Sequence, residues 1–265
     1  MNQAMPAPFD VKLMNLTASV LFMLLGFMVL ASAIWWVLRN PVFSIAGITV
    51  QGEVTHNSPV TLRANVAPKL AGTFFTVDLA ATRAAFESVP WVRKALVRRE
   101  FPNRLKVVLQ EHQPVAYWGA ESESKLLNSF GEIFEANVGD VEADNLPRLN
   151  GPQDQASQVL GMYRTIRPLL APLDTEVDQF ELSGRGSWRV KLDSGAAIEL
   201  GSGTADEVAA RLQRFVLTLT QVASRYNRRP DALESADLRH SDGYALRLRG
   251  VTTTTTAAPD AAKKK

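Results

Sequence analysis

The sequence predicts an α+β protein: one membrane-spanning helix, then a small strand–helix–helix–strand–strand module, then a larger sheet-rich module with flanking helices. Three observations predict it. A single uncharged apolar run extends from Asn15 to Leu38. Behind it the hydrophobic period switches from strand-like alternation to helical spacing and back within about 70 residues. From Pro114 onward, short alternating runs separated by Gly, Asn and Ser turns are interrupted by two long helical stripes.

At 1.5 Å per residue the run from Asn15 to Leu38 measures about 36 Å as a helix, enough to cross a ~30 Å hydrocarbon core with tilt. Trp35 and Trp36 beside Arg39 suit the membrane–water boundary, where amphipathic rings and a snorkelling charge are favoured. The rival reading is a cleaved signal peptide, for which Ala31-Ser32-Ala33 has the small-x-small form. A signal peptide's apolar core is about 7–15 residues, however, and here apolarity continues through Ile34 to Leu38. Residues 1–14, with Pro6 and Pro8, read as a disordered tail on the other side of the membrane.

Pro41 stops the anchor, and Val42 to Gly52 reads as a strand. Ser58 before Pro59 marks a helix start, with Leu62, Val66 and Leu70 at four-residue spacing and Gly72 as its end. Asp78 caps a second helix, whose stripe is Leu79, Thr82, Ala85 and Phe86 and which closes at Pro90. Strands follow over Trp91–Phe101 and Leu105–Glu111, then Pro114–Trp118, and a hairpin pairs Lys125–Asn128 with Glu132–Phe134. Leu146 to Pro152 reads as an extended linker before a helix from about Asp154 to Leu170. Three meandering strands lie at Val177–Leu182, Trp188–Leu192 and Ala197–Leu200. Thr204-Ala-Asp-Glu207 is a capping box opening a helix to about Ala223. The last strands are near Glu234–Arg239 and Tyr244–Leu248, and residues 252–265 read as a disordered tail.

Composition narrows the chemistry. The formal charge is +2, and the terminal Lys263, Lys264 and Lys265 against Asp260 account for it. The folded part is therefore near neutral, which argues against a nucleic-acid surface. Without cysteine there is no disulfide frame, thiolate metal site or cysteine nucleophile. His56, His112 and His240 fall in different elements without metal-ligand spacing, and no Gly-x-Ser-x-Gly elbow occurs. Gly201-Ser202-Gly203 is half of a dinucleotide fingerprint, but Asp206 stands at the third glycine position and the helix cap explains the same residues. No catalytic residue, cofactor, metal or small-molecule substrate is assigned. What remains is the last strand: an edge offers unpaired N–H and C=O groups to a partner segment, unless Arg239, Arg247 and Arg249 merely blunt it.

Several motifs in order resemble the FtsQ/DivIB family of bitopic cell-division proteins. They are Phe43-Ser-Ile-Ala-Gly-Ile-Thr-Val-Gln-Gly52, Val89-Pro-Trp-Val-Arg-Lys-Ala95 leading to Phe101-Pro-Asn-Arg104, and Glu111-His-Gln-Pro-Val-Ala116. Leu146-Pro-Arg-Leu149, Arg211-Leu-Gln-Arg-Phe215 and Ala236-Asp-Leu-Arg239 leading to Asp242-Gly243 follow. The resemblance implies a polypeptide-transport-associated (POTRA) domain at 42–112 and the family's β domain at 113–251. It implies a cytoplasmic N-terminus, a single inner-membrane span at 15–38 and a periplasmic ectodomain at the division septum. It also implies a non-enzymatic divisome scaffold that binds FtsB and FtsL, links early and late division proteins and so controls septal peptidoglycan synthesis. A POTRA-bearing periplasmic chaperone or secretion component is the alternative.

In the family, FtsB adds a strand at the C-terminal edge, and nearby arginines meet acidic residues of the partner. Carried over by position, the implied partner-binding residues are Arg214, Arg239, His240, Asp242, Gly243 and Tyr244, with Ala245 and Leu246 as strand positions where a proline would interrupt pairing. Two arginines suit carboxylates, Gly243 admits a close backbone and Tyr244 supplies apolar area. Where relatives often carry Tyr-Asp-Ser-Gly, this chain has His240-Ser241-Asp242-Gly243.

Overall fold

The computed structural model describes residues 9–52, 54–123, 125–141, 146–240 and 243–251. The apolar run lies within one helix, α1 (Phe9–Arg39), of which no residue is buried against protein. Residues 9–14, expected as part of a disordered tail, instead belong to the helix, with Asp10 in its first turn and Arg39 in its last, the charge order that complements a helix dipole. The Arg39 guanidinium lies 4.6 Å from the centre of the Trp35 ring.

The chain divides into two compact units between Glu111 and His112. In the first, β1 (Gly47–Gly52), α2 (Pro59–Val66), α3 (Leu79–Glu87), β2 (Val92–Glu100) and β3 (Arg104–Glu111) follow in sequence. The sheet order is β1-β3-β2, with β1 parallel and β2 antiparallel to β3. Two helices between β1 and β2 return the chain across one sheet face, and the β2–β3 hairpin then brings β3 alongside β1. Leu62 and Val66 of α2 meet Ala85 and Phe86 of α3 over Val97, Val107 and Leu109 of the sheet. Ser58 accepts from Thr61 N, and Asp78 from Ala80 N and Ala81 N, so both helix starts have the caps their sequences provide.

The structure departs from the sequence expectation at the edges of two elements. The first strand begins at Gly47, not Val42: Asn40 accepts from Val42 N and opens a 3-10 turn over Pro41–Phe43. The helix expected to continue to Gly72 ends at Val66, because Pro68 lacks the N–H an α-helix would need, and the chain tightens to a 3-10 turn over Ala67–Lys69.

The first unit also buries a charge. Glu111, 3% exposed, accepts from the backbone N–H groups of Thr55, His56 and Asn57 and from Asn57 Nδ2 at 2.8 Å. His56 Nδ1 is 3.2 Å from the same carboxylate, and its ring stacks on Trp91 at 3.9 Å. Burial alone would raise this carboxyl's pKa; the converging donors outweigh it and hold the pKa below the ordinary value.

The second unit is a nine-stranded sheet in the order β12-β11-β10-β9-β8-β7-β4-β5-β6, with α4 (Ala156–Leu170) and α5 (Ala205–Arg225). Its strands are β4 (Pro114–Trp118), β5 (Lys125–Asn128), β6 (Ile133–Glu135), β7 (Arg148–Asn150), β8 (Val177–Leu182), β9 (Trp188–Leu192), β10 (Ala197–Gly201), β11 (Leu233–Asp237) and β12 (Ala245–Leu248). Burial alternates at Phe180 and Leu182, at Trp188, Val190 and Leu192, and at Ile198 and Leu200, so one face of β8 to β10 packs on the helices while the other carries charge. Phe180 and Trp188 stack at 5.4 Å, and both are essentially inaccessible. Truncating such a ring to alanine costs about 3–5 kcal/mol.

The stretch expected as a linker, Leu146 to Pro152, instead contains β7, an interior strand parallel to both β4 and β8. Leu149 is fully buried in it. Only three residues pair, too few for alternation to register, and two flanking prolines give the sequence a linker's look.

Candidate functional site

The C-terminal edge is assembled by a crossover. After the β8–β9–β10 meander, α5 carries the chain over the sheet so that β11 lies parallel to β10, and β12 folds back antiparallel. The crossover starts where the sequence says: Thr204 accepts from Glu207 N while Glu207 accepts from Thr204 N, closing the capping box. Val208, Leu212, Phe215, Val216, Leu219 and Ala223 are the buried face of α5. Among the described residues, strand β12 pairs on one side only and is the terminal strand of the sheet.

The direction of the β12 backbone groups follows from two bonds. Leu238 N donates to Glu199 O of β10, and Arg249 N donates to Ala232 O. Along a strand successive N–H groups point to opposite sides. With Ser235, Ala236 and Asp237 opposite Arg247, Leu246 and Ala245, the N–H groups of Ala245 and Arg247 face β11. Those of Leu246 and Leu248 therefore face outward. The extra residue that shifts the register lies on β11, between Leu233 and Ser235, so this alternation in β12 is unbroken.

The carried-over residues fall into separate places. Tyr244 packs edge-on to Phe215 at 5.0 Å, and its hydroxyl lies 2.7 Å from Thr218 Oγ1. Thr218 also donates to Arg214 O, which puts Arg214 one helical turn away on the exposed side of α5. Arg214 and Tyr244 are thus brought to the same corner through Thr218. Leu246, two residues along β12, is half-buried against the core. Arg214 has no carboxylate within ion-pair reach among the described residues.

Arg239 is elsewhere. Its Nε and Nη2 bond Asp237 Oδ1 and Oδ2 at 2.9 and 2.6 Å, and its backbone N–H bonds the same carboxylate. The Arg239 hydrogen bond is the main cause that holds the Asp237 carboxyl down to about 2. Glu199, beside Asp237 in the register, is itself paired with Arg189. Arg239 therefore belongs to an ion network on the helix-free face. Arg247 pairs with Glu234 at 3.2 Å, and Arg249 donates to Ser194 O. His240 and Gly243 are exposed, and no atom lies within 4 Å of where a Cβ on Gly243 would stand. Asp242 lies outside the described residues.

One residue escaped the sequence reading. Leu217, 74% exposed, stands one turn from Arg214 on α5. It sits off the apolar stripe, and that misfit is the signal by which it could have been found.

Among the described residues no three His, Asp or Glu side chains gather as metal ligands do.

Residues 43–112 match the family profile described as "POTRA domain, FtsQ-type", and residues 116–239 match "Cell division protein FtsQ/DivIB, C-terminal". A curated protein of Burkholderia pseudomallei named "Cell division protein FtsQ" is 38% identical over 243 residues, covering 91% of this chain and 94% of the relative. Proteins of the same name from Thiomonas arsenitoxydans and Nitrosospira multiformis are 38% and 35% identical, over 92% and 88% of this chain and 89% and 96% of theirs. Arg214 and Arg239 fall within the matched C-terminal region, whereas His240 to Leu246 lie beyond it.

Proposed function

The chain belongs to the FtsQ/DivIB family of cell-division proteins, and from that premise we propose that it is a non-catalytic divisome scaffold whose β12 edge receives a strand from the FtsB–FtsL pair. The observation that carries this reading is the outward pair of N–H groups at Leu246 and Leu248 on a terminal strand. An extended segment laid there gains main-chain hydrogen bonds for affinity, and side-chain contacts at the corner supply selectivity. Arg214 and Leu217 are the side chains best placed for that, one for a carboxylate and one for an apolar residue. Arg239, already forked onto Asp237, contributes a field more than a free guanidinium.

In this reading α1 is a single-pass anchor, the N-terminus is cytoplasmic and both folded units are periplasmic at the septum. The POTRA-type unit and the β unit have boundaries near 42–112 and 113–251.

Two proline substitutions test the edge. Leu246→Pro removes an outward N–H and leaves the ladder to β11 whole, so binding of purified FtsB–FtsL should fall at least tenfold in a titration while circular dichroism is unchanged. Ala245→Pro removes an inward N–H and should disturb the protein's own ladder. Wild-type affinity in a folded Leu246→Pro protein would sink strand addition. Depletion in the source bacterium should give smooth filaments with segregated nucleoids; normal-length, leaky cells would refute the division role.

A further inference from the structure

The end of the first unit nearest α1 is unusually apolar for a surface. Phe101, at the tip of the β2–β3 hairpin, is 84% exposed, Val42 is 77% exposed and Phe75 is 43% exposed. These residues come from three separate segments, and backbone contacts tie all three to the point where the anchor helix ends. Thr73 Oγ1 donates to the carbonyl of Leu38 at 2.7 Å, and Phe74 N donates to Phe43 O at 2.8 Å. Phe43 and Phe75 meet edge-on at 5.2 Å. Ala46 N donates to Asn103 O, which fastens the hairpin tip to the same exit segment. Arg99 holds the 74–77 loop by donating to the carbonyls of Phe74 and Val77. The exposed side chains are therefore held at the end of α1, one turn beyond Trp35 and Trp36.

We propose that this tip seats against the bilayer surface, with Val42, Phe75 and Phe101 entering the interfacial layer and Arg39 and Arg104 meeting the phosphates of anionic phospholipids. The proposal rests on α1 being a transmembrane anchor. Continuity selects the occupant: a surface bonded to the last turn of a membrane-spanning helix faces the bilayer before it faces any other partner. Charge agrees, since neither Arg39 nor Arg104 has a carboxylate within ion-pair distance among the described residues. Aromatic rings flanked by arginine are what the headgroup layer accommodates best. The consequence is a fixed tilt for the first unit instead of a domain swinging on a hinge.

The chain has no cysteine, so one introduced thiol gives one labelled position. The full-length protein is placed in nanodiscs of phosphatidylethanolamine and phosphatidylglycerol with an environment-sensitive dye at Trp36→Cys, Phe101→Cys or Leu96→Cys. Lipids carrying a nitroxide near the headgroup then report contact. Emission at 101 should be quenched about as strongly as at 36, roughly twofold or more, with little change at 96 in mid-strand. Adding Arg104→Glu, or Val42→Ser with Phe75→Ser, should relieve most of the quenching at 101. Quenching at 36 without quenching at 101 overturns the proposal and leaves the anchor standing. Absence at both positions removes the anchor and the tip contact together. A label at 101 shielded from aqueous quencher in cells, yet unquenched in lipid-only discs, assigns the tip to a protein partner and equally overturns the proposal.

Discussion

Glu111 illustrates how much one residue can decide. A carboxylate at 3% exposure is tolerable only when its lone pairs are filled, and here four N–H groups of residues 55–57 converge on it. Glu111→Gln keeps the shape but turns an acceptor into a donor facing donors. An unsatisfied buried group costs ~1–3 kcal/mol, so amide exchange at Thr55 to Asn57 should quicken about tenfold or more at neutral pH. The sign with pH is fixed by the lowered carboxyl. Its contribution is complete above the ordinary value of 4.5 and is lost as pH falls through the lower folded value, so the difference from the variant should shrink in acid. Equal exchange at every pH would show that the cluster adds nothing. None of this was legible in the sequence, where His56 and Glu111 stand 55 residues apart. The same blindness applies to the arginines. Sequence alone could not tell Arg239, forked onto Asp237, from Arg214, which faces outward.

At the scale of elements, local chemistry was readable wherever it was strong. The caps at Ser58, Asp78 and Thr204 and the long stripes of α4 and α5 need only neighbours in sequence. Strand β7 needed partners from either side, and β1 lost its first residues to a turn started by Asn40 and Pro41. The β5–β6 hairpin offers a test of how elements dock. Gly131 has φ +81°, and a Cβ there would lie 2.7 Å from Ser157 Cα in the first turn of α4. Gly195 has nearly the same backbone, φ +83°, with nothing within 4 Å. Gly195→Ala should therefore cost ~1–2 kcal/mol for the left-handed backbone alone. Gly131→Ala should add a further ~1–3 kcal/mol for overpacking. Urea midpoints of the two variants check this; equal midpoints would mean that the hairpin yields freely against α4.

The molecule as a whole combines one long apolar helix with two units that carry the specific surfaces. That division was legible: an uncharged run long enough to span and a β-α-α-β-β order both survive in the sequence without any knowledge of pairing. It also carries a prediction about α1. A helix that reads a neighbouring helix shows a distinct face, whereas α1 is apolar on every side of its middle. The unit behind it touches the helix through the Leu38 carbonyl and the exit turn, not through the membrane stretch. Length, apolarity and the Trp35-Trp36-Arg39 boundary are then what matter. Replacing residues 16–34 with an equally long alternating Leu-Ala run, keeping that boundary, should restore division in depleted cells to near the wild-type level. Deleting the same stretch should leave filaments, because the folded units would no longer be held at the membrane. If the replaced helix inserts at normal abundance and the cells still filament, the stretch reads a partner inside the bilayer, and the anchor is more than a tether.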